Sequence, residues 1–254
     1  MMNKEELLFY NAYEEFYMMA EKSVAFRSFC KEAFGEDFSQ DGFSDIKQID
    51  MILQYIPKRE NIHILDIGCG NGKMLGYLQK RTGAFIHGFD YSEKAIDTAQ
   101  RLYPVNSEFK EGLIGEIKYS EEKFDVITAM DTVYFAKDMV DLVRQVKAWL
   151  KKDGVFFVGY QEGDVMPKTE CVSTTVLAKA LEKNGMNYEV VNITEQTYDL
   201  LKKKRAAAIM YKEEFKAEGY EQWFDLLIEQ TDCVSGSLEE FKEKMTRYIF
   251  VIRK

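Results

Sequence analysis

The chain has 254 residues, 46% of them hydrophobic and 30% charged, which is ample for one large globular domain or one domain with an appendage. Its formal net charge of −9 disfavours sequence-independent binding to nucleic acid, because no excess of basic residues is present to neutralise phosphates. No apolar run approaches the length of a membrane span, and the four cysteines lack the paired spacing of a zinc site. These features predict a cytoplasmic protein without a metal, nucleic-acid or membrane partner.

Residues 1–57 predict a helical cap. Apolar residues recur at helical spacing over most of 4–33, and a second amphipathic helix is expected over 46–56. An aromatic stripe on the first helix includes Tyr13 and Tyr17, which are candidates for substrate contact. The stripe either closes over a cleft or is only the buried face of a docked helix, and the sequence leaves both interpretations open.

The most informative stretch is a strand that runs into an acid and a glycine turn. Residues 62–66 predict a buried strand, and a helix is expected over 73–81. The intervening turn has glycine at every second position, which lets a ligand lie against bare backbone at a helix N-terminus. The acid and the glycines are Asp66, Gly68, Gly70 and Gly72. A second apolar strand over 84–89 ends in Asp90, at about the spacing at which a carboxylate meets a ribose hydroxyl in doubly wound folds.

Two other glycine-rich loops fit this turn poorly. A phosphate-binding loop requires serine or threonine after its lysine, but Met74 follows Lys73. The dinucleotide fingerprint requires its third glycine at the position of Lys73. The remaining pattern, Asp-x-Gly-x-Gly-x-Gly, resembles the first motif of the class I S-adenosylmethionine-dependent methyltransferases.

That resemblance implies that the chain binds S-adenosylmethionine and releases S-adenosylhomocysteine. It places the methionine moiety of the cofactor at the glycine turn, the ribose on Asp90 and the adenine beside Tyr91. Leu113 stands where the family frequently has aspartate, so backbone groups are expected to recognise the adenine there. The implied cofactor contacts are Asp66, Gly68, Cys69, Gly70, Gly72, Asp90, Tyr91, Gly112, Leu113 and Met130. The loop 40–42 either approaches the cofactor's carboxylate or is a plain turn.

Strands and helices continue to alternate downstream, which predicts a parallel sheet. Further strands are expected near 107–110, 124–129 and 154–160, with helices near 92–102 and 138–151. The resemblance implies an α/β fold with a Rossmann-like, seven-stranded, mostly parallel sheet. In that family the last strand inserts antiparallel between the fifth and the sixth.

The pattern loosens after the fifth strand. Ser173 is expected to cap a helix, a sixth strand follows over 188–191, and a lysine-rich helical stretch occupies most of 195–245. The last strand, 247–253, alternates with period two. The chain is therefore predicted to comprise an N-terminal helical cap, a cofactor-binding core, a helical insertion that acts as a substrate lid, and the last strand of the core. The corresponding ranges are 1–57, 58–192, 193–245 and 246–254.

The exit of the fourth strand is expected to carry the chemistry, because ligands bind at the carboxyl edge of open α/β sheets. Asp131 and Tyr134 are the candidate catalytic residues, since a carboxylate beside aromatic rings suits an amine. Phe135 and Gln161 are candidates for substrate contact. The alternative is that Asp131 only caps the following turn and that the rings only pack.

The two histidines, His63 and His87, lie at the start and in the interior of predicted strands and are expected to be structural. Any general base would therefore be a carboxylate or a tyrosine. The leading hypothesis is methyl transfer to a small molecule, with nitrogen ahead of oxygen as the acceptor atom. An O-methyltransferase and a non-catalytic cofactor-binding sensor or partner protein remain as alternatives. A lipid cyclopropane synthase would need membrane access and a bicarbonate-binding cluster, which the sequence does not indicate. The acceptor and the oligomeric state stay open.

Overall fold

The computed structural model describes residues 9–40 and 42–254. The start of the predicted first helix, residues 4–8, and Asp41 of the predicted turn lie outside the described residues.

A single mixed sheet forms the centre of the described chain, with strand order β3-β2-β1-β4-β5-β7-β6. Its strands are β1 His63–Ile67, β2 Phe85–Asp90, β3 Ser107–Glu111, β4 Phe124–Met130, β5 Leu150–Glu162, β6 Asn187–Asn192 and β7 Thr246–Arg253. Neighbouring strands from β3 to β5 are parallel, whereas β7 runs antiparallel between β5 and β6. The predicted fold class is confirmed.

Helices cover both faces of the sheet, as a buried parallel sheet requires. In chain order they are α1 Tyr10–Lys22, α2 Val24–Phe34, α3 Ile46–Leu53, α4 Lys73–Thr82, α5 Glu93–Leu102, α6 Met139–Trp149, α7 Val176–Lys183, α8 Thr194–Met210, α9 Lys212–Ala217, α10 Glu221–Gln230 and α11 Leu238–Lys244. Alternate strand residues point to opposite faces: Ile64 joins a core with α1 to α5 and α8, while Leu65 joins a core with α6 and α7.

Local hydrogen bonds move several element boundaries away from their predicted positions. The first helix is broken at Ser23, which has an extended backbone and accepts a hydrogen bond from the backbone N–H of Phe26 on its Oγ. The helix predicted to start at Ser173 starts at Val176 instead, because Thr175 is the residue that caps it. The fifth strand, expected near 154–160, begins at Leu150 instead, and its pairing with β4 is irregular between Leu150 and Val155.

A carboxylate of the helical insertion caps a helix of the N-terminal cap, beside the apolar core that the two parts share. Glu218, just after α9, accepts hydrogen bonds from the Ser23 hydroxyl at 2.6 Å and from the N–H groups of Val24 and Ala25 at 3.1 and 3.0 Å. It therefore satisfies the otherwise unpaired donors at the N-terminus of α2 and complements the dipole of that helix.

Replacing Glu218 with alanine is expected to lower the free energy of unfolding by about 1–3 kcal/mol, because three hydrogen bonds to a carboxylate are lost. Chemical denaturation of the purified protein measures this loss. Glu213, which is exposed on the same helix, provides the matched control, and its replacement by alanine should change stability by less than about 0.5 kcal/mol. Equal effects of the two substitutions would contradict the capping role.

Candidate active site

A cavity of about 490 Å³ opens at the carboxyl edge of β1, β2 and β4. This is where the strand order reverses direction, the usual ligand position in open α/β sheets. Its described lining consists of Tyr13, Tyr17, Phe38, Ser39, Gln40, Gly42, Asp66, Gly68, Cys69, Gly70, Asn71, Met74, Phe89, Asp90, Tyr91, Gly112, Leu113, Ile114, Met130, Asp131, Thr132, Tyr134, Phe135 and Lys137.

The glycine turn after β1 forms the floor of the cavity and is hydrogen-bonded to the end of β2. The N–H groups of Gly68 and Cys69 both donate to the carbonyl of Phe89, at 2.9 and 3.0 Å. The N–H of Gly70 donates to Oδ2 of Asp90 at 2.9 Å. The second acid of the motif thus shapes the turn in addition to facing the cavity.

Gly70 has no room for a side chain. Its φ is +51°, and a Cβ built on it would collide with the hydroxyl of Tyr17 from α1. The ring of Tyr17 therefore lies directly above bare backbone, and α1 covers the turn. Burial raises the pKa of Tyr17 well above its usual value, and nearby Asp90 adds to the effect.

Two buried acids give this end of the cavity its electrostatic character. Asp66 is 4% exposed and Asp90 is 7% exposed. Burial raises the pKa of Asp66 to about 7, although the Thr128 hydroxyl, which donates to it at 2.6 Å, opposes that shift. Burial also raises the pKa of Asp90 to about 6, against hydrogen bonds from the N–H groups of Ser92 and Gly70. Both carboxyl groups are thus destabilised as anions, and a cation in the cavity would relieve this.

Aromatic rings form the wall beside these acids. The ring centroids of Tyr13 and Tyr17 lie 6.3 Å apart in a stacked arrangement, and Tyr13 meets Tyr91 edge-on at 6.0 Å. Phe135 continues the wall, 6.5 Å from Tyr91. The stripe on α1 therefore does face the cavity, and Tyr13 and Tyr17 both line it.

At the exit of β4, a buried arginine holds the carboxylate of Asp131, and the backbone of Asp131 is strained. Asp131 has a φ of +59°, which is unfavourable for a residue with a side chain. Nε and Nη2 of Arg247 donate to its Oδ1 and Oδ2 at 3.1 and 2.6 Å. The hydroxyl of Tyr134 donates to Oδ1 at 3.3 Å. Arg247 was not among the predicted site residues; it comes from β7, at the other end of the chain.

The segment before α3 forms another wall, where Phe38 and Ser39 line the cavity although neither was predicted to do so. Nζ of Lys73 donates to Oγ of Ser39 at 2.6 Å and pairs with Asp37 at 2.7 Å. The side-chain amide of Asn71 donates to the carbonyl of Ser39 at 3.3 Å. This segment is therefore attached to the start of α4, immediately beside the glycine turn.

Two predicted site residues lie outside the cavity lining, Gly72 and Gln161. Gly72 is packed inside the core, since a Cβ there would lie 3.0 Å from Phe109 and Ala99. Gln161 is 3% exposed, and its backbone N–H donates to the hydroxyl of Tyr134 at 2.7 Å. The other predicted cofactor, substrate and catalytic residues all line the cavity.

Both histidines belong to the described part of the chain, and neither lines the cavity. Nδ1 of His63 lies 3.0 Å from Nε2 of His87, and Nδ1 of His87 lies 2.9 Å from the Glu108 carboxylate. Burial lowers the pKa of His87 to about 4 and, together with the charge of Lys151, lowers that of His63. The pair is thus a neutral packing element in the sheet.

A family model described as a methyltransferase domain matches residues 58–215, and the chain belongs to this family. It is a class I S-adenosylmethionine-dependent methyltransferase, hence an enzyme, and its cofactor is S-adenosylmethionine. The sequence-based expectations for family, enzyme class and cofactor are confirmed.

Relatives of known activity differ in their acceptors. The ubiquinone biosynthesis O-methyltransferase of Actinobacillus pleuropneumoniae is 31% identical over 117 residues, which are 41% of this chain and 50% of the relative. The chain thus spans about half the length of the curated relatives it matches. The solved structures that share the fold include an N-methyltransferase and a cyclopropane synthase. Phosphoethanolamine N-methyltransferase 2 of Haemonchus contortus, in complex with S-adenosyl-L-methionine, has a TM-score of 0.75 at 18% identity, covering 92% of this chain and 61% of that one. The cyclopropane synthase MmaA2 of Mycobacterium tuberculosis has a TM-score of 0.72 at 16% identity, covering 95% and 98%.

The site fits this cofactor on its own geometry. A turn with glycine at alternate positions, two buried acids and an aromatic wall are suited to a cationic ligand that carries a sugar and a planar base. None of the helices in residues 9–40 and 42–254 has both the length and the apolar composition of a membrane span. Within the same residues, no acidic, histidine and cysteine side chains are grouped so that they could hold a metal ion. The cytoplasmic location stays a prediction, as does the lid role of residues 193–245, which contribute no described residue to the lining.

Proposed function

We propose that this enzyme methylates a small-molecule amine. The proposal is carried by the composition of the cavity wall: aromatic rings line it, and neither histidine does. Because the described lining offers no histidine as a general base, it favours a nucleophile that needs no base, such as a neutral amine. A volume of about 490 Å³ suits small ligands rather than a folded protein.

The cofactor is proposed to lie along the turn, with its methionine moiety near Asp66 and Gly70. Asp90 holds the ribose, and Tyr91 and Leu113 flank the adenine. When bound there, S-adenosylmethionine supplies an electrophilic methyl group on a positively charged sulfur. Asp66 and Asp90 lie close enough to the turn to offset that charge, and their burial strengthens the interaction.

Three tyrosine hydroxyls of the lining have raised pKa values, which favours their protonated form. Burial raises the pKa of Tyr17 and of Tyr134 well above the usual value for a phenol, and burial with nearby Tyr13 does the same for Tyr91. Neither oxygen of Asp131 is without a hydrogen bond, since Arg247 donates to both. These groups orient a substrate, and none is arranged to remove a proton from a weakly acidic hydroxyl.

An amine acceptor suits this environment for two reasons. Burial favours the neutral form of an amine, which is the form that carries the attacking lone pair. Transfer of the methyl group from the cofactor's sulfur to the acceptor nitrogen would place positive charge on that nitrogen, where faces such as those of Tyr13 and Tyr17 would stabilise it. The ammonium proton then passes to water, after the methyl group has been transferred.

The test is an assay of S-adenosylhomocysteine release with a panel of small primary and secondary amines, phenols and carboxylic acids, with product mass measured in parallel. Turnover is expected with at least one amine, whose product gains the mass of one methylene group. The Gly70→Ala variant, assayed on the same panel, should lose that turnover. Turnover with phenols or acids but no amine would overturn the proposal.

Oxygen methylation is the second candidate, and the name of the O-methyltransferase relative supports it. A phenol or enol acidic enough to ionise in water would need no base from the protein. In this case the rate should follow the ionisation of the acceptor as pH rises. The same panel separates the two functions, because phenols of graded acidity and amines appear in it side by side.

A further inference from the structure

Arg247 is the largest fully buried side chain of the described residues, with 0% exposure. It stands in β7 opposite Gln161 of β5, on the face of the sheet that carries α3 and α8. Burying a guanidinium is costly unless each of its donors is satisfied. Its surroundings meet that requirement through partners on two separate walls of the cavity.

The first wall is the exit of β4. The guanidinium donates hydrogen bonds to both carboxylate oxygens of Asp131, and the left-handed backbone of Asp131 is strained. A strained residue persists only where its surroundings over-determine its conformation. Arg247 supplies two of the bonds that hold Asp131, and Tyr134 supplies a third at 3.3 Å.

The second wall is the segment that leads into α3. Nη1 of Arg247 donates to the carbonyl of Phe43 and to Oε1 of Gln48, both at 2.6 Å, and Nη2 donates to Oγ of Ser44 at 3.0 Å. Residues 38–40 and Gly42, immediately before these contacts, line the cavity. The far end of the segment is attached independently by Lys73 at the start of α4.

We propose that Arg247 is a positioning residue for methyl transfer. It holds Asp131 and the described residues of the segment before and at the start of α3, 38–40 and 42–48, in register as two walls of the acceptor end of the cavity. The inference rests on methyl transfer at this cavity and not on the acceptor's being an amine. Displacement of reacting groups by about 1 Å can cost about 100-fold in rate, so such a role is measurable without any direct contact between Arg247 and substrate.

The test compares Arg247→Lys with Arg253→Lys. Lysine keeps the positive charge but donates from one nitrogen only. It therefore cannot donate to Asp131 from two nitrogens and also donate to Phe43, Ser44 and Gln48. Arg253 lies in the same strand, at its exposed end, and serves as the matched control. Hydrogen exchange of the amides of 38–40 and 42–48 is followed in the cofactor-free protein, with calorimetric affinity for S-adenosylhomocysteine and, with an accepted substrate, kcat and KM.

Arg247→Lys is expected to speed exchange in 38–40 and 42–48 by about tenfold and to lower kcat by about 100-fold. Cofactor-product affinity should stay within about threefold, because the acids and the glycine turn keep their own contacts; the control should change none of these values. Unchanged exchange and kcat would overturn the proposal. A fall in kcat accompanied by an equally large loss of affinity for S-adenosylhomocysteine would also overturn it, because such a result indicates general destabilisation of the site.

Asp131→Asn tests the same arrangement from the other side if Arg247→Lys folds poorly. The two substitutions should be strongly non-additive, because both break one pair, whereas additive effects would contradict a shared role. The hydrogen-exchange result does not depend on the acceptor. A wild-type enzyme that methylates no amine, but whose exchange responds as expected, would therefore reject the proposed function and leave the positioning role intact.

Discussion

Gly70→Ala should weaken binding of S-adenosylhomocysteine by about 30-fold or more while leaving the protein folded. A left-handed backbone costs alanine about 1 kcal/mol, and displacing a packed ring adds about 1–3 kcal/mol. The added Cβ meets the hydroxyl of Tyr17, so α1 must move away from the turn or the turn itself must change. Either movement displaces the N–H that holds Asp90. Titration calorimetry of the purified variant measures the loss.

Gly83 provides a control for the backbone term alone. Its φ is +71° and a Cβ there would meet nothing within 4 Å, so Gly83→Ala introduces the same kind of strain without a collision. It should cost stability of about 1 kcal/mol and leave affinity for the cofactor product unchanged. If Gly70→Ala bound as well as Gly83→Ala, the turn would not be the cofactor site.

The core of the fold was predictable because its signals are local. A strand followed by an acid and alternating glycines can bend in few ways, and each predicted strand from β1 to β5 overlaps an observed one. The antiparallel insertion of β7 came from the family resemblance, since a period-two strand does not by itself specify its neighbours. The predicted boundaries of α2 and α7 were wrong, because the side chain of a single residue, Ser23 or Thr175, caps the helix and sets its start.

The predicted residues that line the cavity lie on the glycine motif, at the ends of β2 to β4 or on the aromatic stripe of α1. Asp66, Gly70 and Asp90 are close in sequence and lie together in the cavity. Arg247 could not be found in this way, because an arginine that begins an otherwise apolar strand resembles an exposed strand end. Its partner Asp131 is 116 residues away, and only the sheet order brings the two together. Phe38 and Ser39 carry no motif at all and reach the cavity through the attachment of Ser39 to Lys73.

Two buried carboxyl groups at one end of a cavity are unfavourable for folding. Neither Asp66 nor Asp90 forms an ion pair among the described contacts. Burial raises the pKa of both carboxyl groups; the charge of Asp90 adds to the shift of Asp66, and the charge of Glu14 adds to that of Asp90. Such an arrangement is common where binding a ligand, and not stability, sets the local design. It follows that the cofactor-free enzyme should be less stable than a variant lacking one of the charges.

Asp66→Asn should therefore stabilise the cofactor-free protein at pH 8 but not at pH 4. Burial raises the pKa of Asp66 to about 7 in the folded state, above its value near 4 in an unfolded chain. Between about pH 4 and pH 7 the folded state thus holds more protons than the unfolded state, so stability falls as pH rises through this window. Full ionisation at pH 8 costs up to about 4 kcal/mol, which asparagine avoids while keeping an oxygen for the Thr128 hydroxyl. Thermal unfolding of both proteins at the two pH values measures the difference.

The same substitution should have the opposite effect on cofactor binding. A cationic ligand favours the ionised form of Asp66, so the affinity of the wild type for S-adenosylmethionine should rise between pH 6 and 8, with release of protons to the buffer. Asp66→Asn should bind more weakly by about tenfold or more at pH 8 and approach the wild type at pH 5, where Asp66 is already neutral. Asp97→Asn, on the exposed side of α5, controls for net charge and should follow the wild type. A wild-type affinity that stays flat with pH would mean that Asp66 does not face the cationic part of the cofactor, and the methionine end would then have to lie elsewhere along the turn.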